Sequence, residues 1–99
     1  MNDLAKIFAK NENIVFRQVA GEVILVPVRD KVADLKCIYT LNEVGAFVWS
    51  NINGKRSLAH IIDALVSSFS VNPETARKEV STFIGQLETK KLIEEIRAL

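Results

Sequence analysis

The sequence has few of the residues on which crosslinks, metal sites and catalysis depend. One cysteine, Cys37, and one histidine, His60, are present among 99 residues. A single cysteine excludes a disulfide within the chain and any Cys-x-x-Cys motif, which favours a reducing compartment. Nucleophilic catalysis needs a nucleophile beside a base, and these two residues fall on different predicted elements. We therefore expect no enzyme, no catalytic residues, no metal ligands and no cofactor.

An excess of charge of one sign, long apolar runs and clusters of glycines are missing as well. Thirteen basic against twelve acidic residues give a formal net charge of +1, too balanced to favour nucleic acid as a partner. No apolar run approaches the roughly 18 residues of a membrane-spanning helix, and the N-terminus lacks a signal-peptide segment. The four glycines are isolated, which excludes a loop that cradles phosphate. We expect a cytoplasmic protein without a membrane partner.

The composition that remains is that of a soluble globular domain. Hydrophobic residues make up 48% and charged residues 25% of the chain, and a chain of this length buries about two thirds of its surface on folding. We expect a single domain over residues 1–99. In the first twelve residues, Leu4, Ile7 and Phe8 have helical spacing, which predicts a short N-terminal helix or else a flexible arm.

Period-two patterns predict three strands before Leu41. The segment 14–19 (IVFRQV) is rich in β-branched and aromatic residues, and 22–28 (EVILVPV) is a nearly continuous apolar run. Ala20-Gly21 between them can turn the chain into a hairpin. Residues 35–40 (LKCIYT) alternate again, which predicts a third strand at an edge of the sheet.

The apolar spacing changes to the helical period after the third strand. Asn42, Ser57 and Asn72 are each placed to cap a helix, and Pro73 suits a first helical position. Three helices are therefore expected. The order of elements predicts an α+β, winged-helix-like fold in which a three-stranded antiparallel sheet is followed by a three-helix bundle.

Three of the glycines and the apolar pair after the third helix give further expectations about local structure. Gly54 is predicted to stop the first helix in a left-handed conformation. Gly45 and Gly85 lie inside helices, where glycine costs about 1 kcal/mol relative to alanine, so we expect close packing at both. Leu92-Ile93 resumes the apolar pattern after the third helix.

Two stretches of the sequence resemble the PqqD-like family. Residues 41–49 (LNEVGAFVW) match its Leu-Asn-x-x-Gly-x-x-x-Trp motif, and 53–57 (NGKRS) its short turn before an amphipathic helix. The family's third helix ends in Leu-x-x-x-x-Leu-Ile, as residues 87–93 do here. The similarity covers about residues 39–93 and is to the wider family rather than to the quinone-cofactor protein. The shared residues are expected to serve folding: Leu41, Asn42, Gly45, Trp49 and Gly54.

The resemblance implies a non-catalytic recognition module. Such a module captures a precursor (leader) peptide by strand addition at the third-strand edge beside helix three, and presents it to a modifying enzyme such as a radical S-adenosylmethionine protein. An unpaired strand edge suits this role, although Lys36 could equally serve to shield that edge. The peptide-binding residues expected are Lys36, Cys37, Ile38, Tyr39, Thr40, Lys78, Thr82, Phe83 and Gln86.

Two other functions stay open at this point. One is a winged-helix-like DNA-binding domain with helix three as reader, although the basic residues of that helix are balanced by acidic ones. The other is a small homo-oligomerising assembly module, a homodimer for example, in which the open edge pairs with a second copy.

Overall fold

A computed structural model describes residues 3–27 and 39–96 of the chain. The α+β fold predicted from the sequence is confirmed, because a three-stranded antiparallel sheet of order β2-β3-β4 is followed by three helices. A second sheet, of two strands, pairs β1 with β5. After a 3-10 helix at Asp3–Ala5 the elements are β1 (Ile7–Lys10), β2 (Ile14–Val19), β3 (Glu22–Pro27), β4 (Tyr39–Leu41), α1 (Glu43–Asn51), α2 (Leu58–Phe69), α3 (Pro73–Thr89) and β5 (Ile93–Ile96).

The sheet starts with the predicted hairpin. Ala20 and Gly21 have φ angles of 51° and 83°, and a two-residue hairpin turn with positive φ at both positions matches the twist of the flanking strands. Val19 consequently pairs with Glu22, and the register continues along the whole of β2 and β3. The turn therefore determines which residues share a face of the sheet.

All three helices begin at the residues predicted to cap them. Asn42, Ser57 and Asn72 have extended backbones, and each side chain accepts a hydrogen bond from an amide in the first turn of its helix. These bonds satisfy amides that have no partner within the helix. Pro73 opens α3, where its missing amide costs no hydrogen bond.

Asn72 is expected to stabilise its helix the most, because its Oδ1 accepts from the amides of Glu74 at 2.8 Å and Thr75 at 3.2 Å. Replacing Asn72 by alanine should lower the free energy of unfolding by about 1 kcal/mol, measured by urea denaturation. Asn72→Ser keeps an acceptor and should retain most of the stability. Equal losses in the two variants would contradict a capping role.

The N-terminal segment does not form the predicted helix or arm. Among its described residues only Asp3–Ala5 is helical, and Ile7–Lys10 is a strand that pairs antiparallel with Ile93–Ile96. Phe8 is 3% exposed and belongs to the core. The prediction was wrong because the partner strand lies at the other end of the chain, and a local pattern carries no sign of it. Leu92-Ile93, left unassigned from the sequence, leads into that partner.

The first helix ends before the glycine predicted to stop it. Its last residue is Asn51, and Ile52 after it is extended. Gly54 does have a positive φ, of 79°, but it lies in the turn before α2, where its amide donates to the carbonyl of Phe8 at 2.9 Å. Gly54 therefore joins this turn to β1 and does not cap α1.

Gly85 lacks the close packing predicted for it. A Cβ built at this position would meet nothing within 4 Å, so replacement by alanine should raise the free energy of unfolding by about 0.5–1 kcal/mol through lower backbone entropy. Gly54→Ala should instead lower the free energy of unfolding, because φ is positive and a Cβ would lie 3.3 Å from Ile96 Cδ1. Chemical denaturation checks both signs, and a destabilised Gly85→Ala protein would contradict this account.

One hydrophobic core joins the helices to both sheets. Leu25 and Leu87 are fully buried, and Trp49 is 2% exposed. The Lys10 ammonium lies 5.3 Å from the centroid of the Trp49 ring, and burial lowers the pKa of Lys10 below its ordinary value. Over residues 3–27 and 39–96, every helix is too short or too polar to cross a membrane.

Candidate functional site

Strand β4 forms one edge of the three-stranded sheet. β3 pairs with it on one side, from Leu25 opposite Tyr39 to Val23 opposite Leu41. No other strand of the described segments pairs with its second side. Alternate amides and carbonyls of an antiparallel strand point away from its neighbour, so this side presents backbone groups suited to a further strand. The edge position predicted for the third strand is thus confirmed for 39–41, whereas Lys36, Cys37 and Ile38 lie outside the described residues.

A cleft of about 140 Å³ lies beside this edge, between β4, α1 and α3. An engineered apolar cavity of roughly 150 Å³ holds a benzene molecule, so this β4–α3 cleft has room for one aliphatic or aromatic side chain. Its lining is mainly apolar and consists of Tyr39, Thr40, Leu41, Asn42, Val44, Gly45, Val48, Glu79, Val80 and Phe83.

Gly45 allows α1 to approach the walls of the cleft closely. A Cβ built there would lie 3.3 Å from Asn42 Oδ1, 3.4 Å from Leu41 Cδ2 and 3.5 Å from Phe83 Cζ. The distance to Asn42 Oδ1 is tighter than an ordinary contact and the other two are ordinary van der Waals contacts, so the close packing predicted for Gly45 is confirmed. The absence of a side chain at Gly45 therefore keeps the space beside Phe83 open.

Tyr39 links β4 to the C-terminal half of α3. Its hydroxyl donates to Gln86 Oε1 at 2.6 Å, and its ring stands edge-on to Phe83 with centroids 6.1 Å apart. Lys90 Nζ lies 5.9 Å from the centroid of the same ring. Burial raises the pKa of the Tyr39 hydroxyl above its ordinary value, so the hydroxyl remains a donor at neutral pH. These contacts hold one end of the cleft together.

The structure separates the predicted site residues into groups. Three of them line the β4–α3 cleft, namely Tyr39, Thr40 and Phe83, and Gln86 accepts a hydrogen bond from Tyr39 beside it. Lys78 and Thr82 instead line a polar depression on another side of α3, together with Glu74 and Arg77. Helical geometry explains the division, since positions 79, 83, 86 and 90 share a face at about 100° per residue and position 78 lies roughly 100° away from 79.

Glu79 lies in the cleft although the sequence analysis did not select it. It precedes Phe83 by four residues, which places both on one face of α3. Among the described residues no basic side chain forms an ion pair with Glu79. The spacing from Phe83 was the available signal, but it becomes informative only once the side of α3 that meets β4 is known.

Among the described residues, the lining of the cleft holds no pair of a nucleophile and a base. His60 is exposed on α2 and is not among the residues that line the cleft. Within residues 3–27 and 39–96, no group of three or more His, Cys, Asp or Glu side chains could hold a metal ion. The arrangement at the cleft is one of backbone pairing groups beside an apolar recess.

Comparisons with known proteins agree with this fold. A solved structure described as "TbiB1 in Complex with the TbiA(beta) Leader Peptide" is similar, with a TM-score of 0.70 and 22% sequence identity over 91% of this chain and 99% of that chain. At this identity the likeness shows the fold. No curated protein matches. The family model described as "Coenzyme PQQ synthesis protein D (PqqD)" matches residues 22–93. Because that match spans β3 to the start of β5, well over half of the chain, the protein belongs to the PqqD family.

Proposed function

We propose that this chain is a non-catalytic, single-domain module that captures the leader segment of a precursor peptide and presents it to a modifying enzyme. The observation that carries the proposal is the position of the β4 edge, with which no other described strand pairs, directly beside the β4–α3 cleft. An added strand gains affinity from backbone hydrogen bonds, and pockets for alternate side chains give it specificity. The β4 edge supplies the backbone groups for these hydrogen bonds, and the cleft supplies a pocket for a side chain.

The comparisons support a peptide as the ligand. The similar solved structure is, by its description, a protein in complex with a leader peptide, and the fold likeness extends over 91% of this chain. The family match includes β3, β4 and all three helices, which are the elements that form the edge and the cleft. A cytoplasmic location agrees with this role, because a ribosomally made precursor arises there.

The chemistry belongs to a partner enzyme in this proposal, for example a radical S-adenosylmethionine protein. The cleft lining contains Glu79 and Tyr39 as ionisable groups and no pairing of a nucleophile with a base. A precursor held by its leader segment leaves the remainder of its chain accessible to another active site. Binding would thereby raise the local concentration of the precursor at the enzyme.

Strand addition is tested with peptides whose backbone amides are blocked. Peptides selected from a displayed random 12-residue library are resynthesised with an N-methyl group at one position at a time, and their affinity is measured by titration calorimetry. An N-methyl group removes the donor that pairs with β4, so methylation of alternate residues should weaken binding at least tenfold. The intervening residues should tolerate it.

Amide hydrogen exchange locates the bound peptide. Saturating peptide should slow exchange at β4 and leave exchange at β2, the opposite edge of the sheet, unchanged. A peptide that tolerates N-methylation at every position, or one that protects β2 instead, would show that the proposed mode of binding is wrong.

A further inference from the structure

We infer that the β4–α3 cleft selects the direction of the bound peptide by charge, with a basic residue before and an acidic residue after one apolar residue that enters the cleft. That apolar residue is called the anchor below. The inference rests on the proposed strand addition at β4 and adds the chemical class of peptide. It follows from the relative direction of β4 and α3 and from the charges at the two ends of the cleft.

Strand β4 and helix α3 run in opposite directions across the cleft. Tyr39, the first residue of β4, bonds to Gln86 late in α3. Gly45, which follows β4, would place a Cβ 3.5 Å from Phe83, one turn earlier in α3. Antiparallel pairing is the commoner and slightly more stable arrangement of two strands. A peptide antiparallel to β4 therefore runs parallel to α3, from the Glu79 end of the cleft toward Lys90.

The two ends of the cleft carry opposite charges. Glu79 lines the end nearer the start of α3, and among the described residues no basic group pairs with it. Lys90 is outside the lining itself, but its Nζ lies 5.9 Å from the centroid of the ring of Tyr39, which lines the other end. An exposed ion pair changes affinity by roughly two- to fivefold. Exchanging both charged residues of the peptide should therefore weaken binding by roughly 4- to 25-fold from the loss of the two pairs alone, and the like charges that then meet act in the same direction.

Helix and strand geometry give the spacing of the charged residues. An α-helix rises about 1.5 Å per residue, so Glu79 lies about 6 Å before Phe83 and Lys90 about 10 Å after it. A strand rises about 3.3 Å per residue and turns every second side chain to the same face. The basic residue should accordingly stand about two positions before the anchor and the acidic residue about two to four positions after it.

The test is a selection from a displayed random 12-residue peptide library against four proteins: the wild type, Glu79→Lys, Lys90→Glu and Glu88→Lys. Glu88 is an exposed acid on the opposite side of α3, outside the cleft, so it is the matched control for charge reversal. Thermal denaturation confirms that each variant is folded. The wild type and Glu88→Lys should enrich Lys or Arg two positions before the anchor, whereas Glu79→Lys should enrich Asp or Glu there.

The results distinguish this inference from the proposed function. Identical sequences enriched by the wild type, Glu79→Lys and Lys90→Glu would overturn selection by charge and leave strand addition standing. If the wild type enriched an acidic residue before the anchor and a basic residue after it, the proposed direction of the bound peptide would be wrong. If no peptide binds any of the four proteins, the proposed function fails and the inference with it.

Discussion

Replacing Trp49 by alanine is expected to lower the free energy of unfolding by about 3–5 kcal/mol, the usual loss for a large aromatic residue in a core. Trp49 is 2% exposed, and its ring lies close to β1, as the ammonium of Lys10 over the ring shows. The substitution removes buried apolar surface and leaves a cavity that the rigid surroundings fill only in part. Guanidinium denaturation followed by circular dichroism measures the loss.

Phe16→Ala is the matched control for Trp49→Ala. Phe16 is also aromatic but is 44% exposed on β2, so its removal should cost no more than about 1 kcal/mol. A domain of this size is stable by only about 5–15 kcal/mol, so a loss of about 3–5 kcal/mol is a large share of the total, and Trp49→Phe serves as the milder variant. Losses of equal size at Trp49 and Phe16 would contradict the packing described above.

The second large effect concerns peptide binding. Phe83→Ala should weaken binding of a library-selected peptide by about 10- to 100-fold, because burying a large apolar side chain contributes about 1.5–3 kcal/mol. Phe83 is half-buried and forms the wall of the cleft opposite Gly45. Since it is not among the fully buried core residues, the fold should survive the change. Titration calorimetry measures the affinity.

Thr82→Ala provides the control for Phe83→Ala. Thr82 is the preceding residue of α3 but lies in the polar depression outside the cleft. Its replacement should change the affinity less than twofold, even though the sequence analysis placed both residues at the peptide. If Thr82→Ala weakened binding as much as Phe83→Ala, the peptide would contact another face of α3, and the assignment to the β4–α3 cleft would be wrong.

Most of the central fold was predictable because its signals are local. The Ala20-Gly21 turn, the Asn72-Pro73 start of α3 and the caps at Asn42 and Ser57 each act within a few residues of their own position. The Leu-Asn-x-x-Gly-x-x-x-Trp motif, on which the resemblance to the family rests, is also a local signal. Its Asn caps α1, and its Gly and Trp pack within the fold.

The sequence by itself determined where β2, β3 and the helices begin, because periodicity and capping depend on neighbours in the chain. Only the tertiary structure decided that Ile7–Lys10 is a strand, since its partner Ile93–Ile96 lies at the far end of the sequence. It also decided which face of α3 meets β4, and so replaced Lys78 and Thr82 by Glu79 as neighbours of Phe83 in the cleft. The sequence did not give this face because polar residues border the apolar stripe of an amphipathic helix on both sides. Which side meets another element depends on how the helix packs.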